Sequence, residues 1–102
     1  MKLPGNMQGM MKQAQQMQER MQEEVAKIRV EASAGGGMVK VVVNGKHELL
    51  SLTLDPAVLK EDVELVQDLV IAAVNEGIRN AQKMVAEEMT KATGGLKIPG
   101  LG

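Results

Sequence analysis

Gln8, Lys12, Gln16 and Arg20 follow one another at four-residue intervals, and Arg79 and Lys83 repeat that interval near the other end of the chain. At about 100° per residue, side chains so spaced share much of one helix face. Cations on such a face suit phosphate oxygens, and glutamine adds neutral hydrogen bonds to a nucleic-acid backbone or to base edges. The competing reading is an ordinary solvated helix face, since Glu19, Glu23, Glu76 and Glu87 lie nearby.

Other chemistry fails on inventory. His47 is the only histidine and sits in NGKHE beside an expected turn, where a solvated loop residue explains it better than a base or metal ligand. One histidine without carboxylates at suitable spacing makes no zinc site. The only serines, Ser33 and Ser51, fall on expected strands without the G-x-S-x-G context of a nucleophile. No cysteine is present, which removes disulfides, thiolate metal sites and thiol nucleophiles. The run Gly35 to Gly37 separates two strands and matches no phosphate-loop spacing, so it reads as a hairpin turn. The chain is expected to be non-catalytic, with no cofactor and no small-molecule substrate.

A net charge of −1 argues against bulk attraction to a polyanion, but the distribution is uneven. Residues 1–18 hold Lys2 and Lys12 and no acid, and residues 77–86 hold Arg79 and Lys83 and no acid. Residues 55–68 hold Asp55, Glu61, Asp62, Glu64 and Asp68 against Lys60 alone. Any phosphate contact therefore has to come from a local patch. The longest apolar run, LVIAAV at residues 69–74, is far short of the ~20 residues of a membrane span, and no apolar block opens the chain. A cytoplasmic protein without membrane contact is the expectation.

Helices and strands that would carry these residues are legible from periodicity. After MKLPG, with Asn6 as the expected cap, the apolar positions Met7, Met10, Ala14, Met17, Met21, Val25 and Ile28 recur every three or four residues and predict a helix to Lys27. Lys12 projects nearly opposite that stripe. The period then switches to two in Val30-Ala32-Ala34, Val39-Val41-Val43 and Leu50-Leu52-Leu54, predicting three strands. Two-residue loops at Gly35-Gly36 and Asn44-Gly45 would pair odd with even positions and gather these residues on one face of an antiparallel meander; a four-residue loop would preserve the same parity. Asp55-Pro56 opens a short helical turn. From Asp62, the stripe Val63, Val66, Val70, Val74, Ile78, Ala81, Val85 and Met89 predicts a last helix reaching Ala92, with Leu65, Leu69, Ala72 and Ala73 widening its apolar face.

The result is an α+β chain of order αβββ(α)α, read as one domain over residues 1–102 with residues 1–5 and 94–102 as flexible tails. It has no aromatic residue, so its core must be aliphatic. A seven-residue strand spans ~24 Å, whereas the two helices would run ~33 and ~46 Å at ~1.5 Å per residue. Their apolar stripes overhang the sheet and call for a second copy of the chain. Met10, Met17 and Met21 are the expected seam. Met38, Val42 and Leu49, expected on the sheet's other face, are apolar enough to join the dimer interface. Flexible thioethers also suit adaptable protein partners, so a methionine-lined interaction adaptor stands as the alternative to nucleic-acid binding.

MMKQAQQMQERMQEE, GGGMVKVVVNGKHELLSLTLDP and EDVELVQDLVIAAVNEGIRNAQKM, in that order and spacing, resemble the YbaB/EbfC family of bacterial nucleoid-associated proteins. The resemblance runs from Gly9 to about Met89 and implies a tweezer-shaped homodimer of αβββα protomers that binds double-stranded DNA and contributes to nucleoid organisation and gene regulation. It implies DNA contact by both long helices, at positions that here are Lys12, Gln16, Arg20, Arg79 and Lys83.

Overall fold

The computed structural model describes residues 5–92. Helix α1 spans Gly5–Lys27, followed by strands β1 (Arg29–Ala34), β2 (Val39–Asn44) and β3 (Leu49–Leu54), a 3-10 helix at Pro56–Lys60, and helix α2 over Val63–Ala92. This is the expected α+β order, and the three strands form an antiparallel sheet in the sequence order β1-β2-β3. The two segments expected to be flexible tails lie almost wholly outside the described residues. Since α1 already includes Gly5, Asn6 sits inside its first turn and not at the cap.

The core is built from small aliphatics, as a chain without aromatics requires. Val39, Val41 and Val43 alternate along β2 and are buried, with Val30 of β1 beside them and Ala73 and Ala81 of α2 above. Fully burying a valine contributes about 1.5–3 kcal/mol. Gly77 completes the central contact, so the deepest line of α2 is Ala73, Gly77 and Ala81, three small residues at four-residue spacing. The expected stripe runs slightly to one side: Val74 and Ile78 are half-buried, and Val63 is 71% exposed. Asp55 caps the 3-10 helix, its Oδ1 accepting from Ala57 N at 2.8 Å, and Pro56 occupies the first position, which drives Val58 into the core.

The two hairpins differ. Between β1 and β2 the loop has four residues, Ala34 pairing with Val39, and Gly35, Gly36 and Gly37 all have left-handed φ values that glycine tolerates. Between β2 and β3 the expected two-residue loop is replaced by three residues, Gly45 to His47, with His47 itself left-handed at φ 64°. Its N–H donates to Asn44 O at 3.0 Å, the closing bond of a turn, and a bulge follows. Val43 pairs with Leu49, whereas Val42 pairs with Ser51 and Val41 with Leu52. The longer loop and the bulge cancel, so Leu52 and Leu54 keep the expected face. Leu49, expected on the opposite face, shares the side of its buried partner Val43.

α2 packs on β1 and β2 and leaves β3 uncovered except at Leu54, while α1 is anchored to the body near its C-terminal end. Leu49, Leu50 and Leu52 are in consequence 45%, 44% and 43% exposed. The molecule measures 68 × 29 × 19 Å with a radius of gyration of 20.0 Å, well above the ~13 Å of a compact chain this size. Both helices overhang the sheet, as their lengths predict.

Candidate nucleic-acid interface

α1 is anchored where it meets the sheet. Arg29 donates from Nη1 to Ala26 O at 2.7 Å and to Ile28 O at 3.1 Å, satisfying carbonyls at the helix end. Gly45 lies against the Val25 carbonyl, leaving no room for a β-carbon. Beyond this root, residues 6–20 are exposed on every side, including Lys12, Gln16 and Arg20. None of these three makes an ion pair or a side-chain hydrogen bond among the described residues. Glu19 and Glu23 share their helix face, and an α1 ion pair joins Lys27 Nζ to Glu24 Oε1 at 3.8 Å.

On α2 the two candidate cations differ. Arg79 is already engaged, its Nη2 donating to Glu76 Oε2 at 2.7 Å. Lys83 makes no ion pair among the described residues and lines a shallow groove along the β1 edge with Arg29 and Asn80, but Glu31 and Glu87 line it too. A second groove lies between the arms, with Met21 and Val25 of α1 and Met89 of α2 as its apolar lining and Gln18, Gln22 and Lys46 as its polar lining. The structure thus places Lys12, Gln16 and Arg20 on one arm and Arg79 and Lys83 on the other, the arms flanking a common groove at Met21 and Met89.

The model of the YbaB/EbfC DNA-binding family matches residues 2–96. The chain belongs to that family. It is 59% identical over 100 residues to a nucleoid-associated protein of Thermoanaerobacter sp. (strain X514), covering 94% of this chain and 90% of that one. A nucleoid-associated protein of Caldanaerobacter subterraneus subsp. tengcongensis is 56% identical over the same shares. The crystal structure of the Helicobacter pylori protein HP0035 superposes with a TM-score of 0.72 over 90% of this chain and 99% of that one; at 22% identity, that likeness shows the fold alone.

Within this YbaB/EbfC chain the remaining polar residues have structural settings. His47 is an exposed turn residue, and among the described residues no cluster of three or more His, Asp or Glu side chains could hold a metal. Ser33 and Ser51 lie on the sheet's open face with Glu31, Lys40, Val42 and Thr53. Met38 is half-buried against the core. Two features escaped sequence reasoning. Glu76 neutralises Arg79, a pairing that the spacing Glu76-x-x-Arg79 signals. Lys46, on the turn, lines the groove between the arms together with residues of α1, a juxtaposition of distant segments that no local periodicity encodes.

Proposed function

We propose that this chain is a non-catalytic, nucleoid-associated protein that binds duplex DNA as a homodimer, contributing to nucleoid organisation and gene regulation in the cytoplasm. One observation carries the reading: Lys12, Arg20 and Lys83 stand exposed and, among the described residues, without ion pairs on two projecting helices, in a chain of a DNA-binding family. Gln16 adds neutral contacts, and Arg79 joins once Glu76 yields it. The relatives' names, nucleoid-associated protein, support the same partner and compartment. Among the described residues no helix is long and apolar enough to cross a membrane.

Unburied apolar surface supports the dimer reading. Leu49, Leu50 and Leu52 form a half-exposed row beside α2, and Ile71 of α2 is 57% exposed. A second copy would cover them, and Met10 and Met17 extend the seam along α1; Met21, expected in that seam, is half-buried and lines the groove between the arms. Met38 and Val42 are weaker members, one being half-buried against the core and the other set among polar residues of the open face. The second reading is a protein-interaction adaptor, favoured by the 46–67% exposure of Met7, Met10, Met11 and Met17.

A gel-shift series across salt decides between them. If a dimer neutralises about four to six phosphates, log affinity falls with log salt at a slope of roughly −4 to −5. Replacing Lys12, Arg79 and Lys83 together by Glu abolishes the shift while dimer mass and melting temperature survive. A flat salt dependence, or no shift at low salt, removes the electrostatic mechanism and leaves the adaptor.

A further inference from the structure

We propose that Lys46, on the β2–β3 turn, is a further phosphate-contacting residue, and that the groove between the two helical arms seats one strand of the DNA backbone. This rests on the duplex-binding reading above. Lys46 is exposed and makes no ion pair among the described residues, yet its backbone is held firmly. Asn44, only 5% exposed, accepts from Lys46 N at 3.0 Å and from Glu48 N at 2.9 Å through Oδ1, and donates from Nδ2 to Glu48 Oε1 at 2.9 Å. Gly45, the preceding residue, is packed against the Val25 carbonyl of α1. A lysine so mounted presents its ammonium with little backbone freedom to lose on binding.

Charge identifies the occupant. Among the described residues no carboxylate lines the groove between the arms, whereas Glu31 and Glu87 offset Arg29 and Lys83 in the groove along β1. Lys46 and the amides of Gln18 and Gln22 match phosphate oxygens. Met21, Val25 and Met89 provide apolar contact for the C–H surface of deoxyribose. An apolar peptide would leave the ammonium and both amides without partners.

The test compares Lys46→Gln with Lys60→Gln, an exposed lysine on the 3-10 helix outside the groove, using random and defined duplexes across salt. Lys46→Gln weakens binding several-fold and equally on both duplexes. It makes the salt slope shallower by about one for each Lys46 in contact, about two in a symmetric dimer. Lys60→Gln changes neither. In parallel, duplex slows peroxide oxidation of Met89, read by mass spectrometry. Wild-type protein that does not bind DNA at low salt overturns the duplex reading and this site with it. Normal wild-type binding with unchanged affinity and slope in Lys46→Gln overturns this site alone. So does protection of Met89 that grows with protein concentration in the absence of DNA, since a second copy would then fill the groove.

Discussion

Gly77 of α2 rests on Val43 of β2 so closely that a β-carbon at position 77 would stand 2.8 Å from Val43 Cγ2 and 3.1 Å from Val41 Cγ2. Both valines are fully buried and stiff about their one side-chain torsion, so neither can swing aside. Gly77→Ala should gain up to about 1 kcal/mol of helix propensity and lose about 1–3 kcal/mol to overpacking. The expected net is a loss of about 1 kcal/mol, measured by urea denaturation at matched protein concentration because the stability of the proposed dimer would depend on it. Stability at or above wild type would show that the helix can lift off the sheet freely.

Gly45 and Gly36 separate steric from backbone effects. A side chain at 36 meets open space but must adopt φ +68°, which costs about 1–2 kcal/mol for an L-residue. A side chain at 45 has ordinary backbone angles and collides with the Val25 carbonyl. Gly45→Ala is therefore expected to accelerate amide exchange in the last turn of α1, whereas Gly36→Ala lowers global stability and leaves that turn as protected as before. Equal exchange at Val25 to Ile28 in both variants would detach the turn from the anchoring of α1.

The uncovered leucines of β3 are where the proposed second copy would sit. Leu52→Glu places a charge at the centre of the row and should convert the dimer to monomers by light scattering, with helix content kept. Val42→Glu, on the open face among Glu31, Lys40 and Ser51, should weaken the dimer far less. Dissociation by Val42→Glu and not by Leu52→Glu would move the interface to the other face of the sheet.

These leucines also mark what sequence could not yield. Element order, strand parity and the overhang of both helices are written in periodicities of two and of three to four. A three-residue loop with left-handed His47 is not, because NGKHE offers Asn44-Gly45 as a shorter turn and no glycine stands at the left-handed position. The compensating bulge turned Leu49 to the helix side without disturbing Leu52 and Leu54. That α2 would lie over β1 and β2 and bare β3 is a matter of where small residues permit close approach. Ala73, Gly77 and Ala81 set that line, although larger Val74 and Ile78 dominate the hydrophobic pattern. The basic residues of the two helices were legible as types and spacing, while their availability was not: among the described residues Lys83 makes no ion pair, and Arg79 is held.

That difference yields a substitution expected to strengthen binding. Arg79 Nη2 lies 2.7 Å from Glu76 Oε2, with side chains 64% and 46% exposed. An exposed pair of this kind contributes at most about 1 kcal/mol, so Glu76→Gln should leave the melting temperature nearly unchanged. It frees the guanidinium and removes a carboxylate that repels phosphate. Affinity for duplex should rise several-fold at low salt, with a salt slope steeper by about one per Arg79 recruited. The added Arg79→Gln should erase the part of that gain that comes from the guanidinium. A Glu76→Gln variant binding no better than wild type would exclude Arg79 from the interface and leave α2's contribution to Lys83.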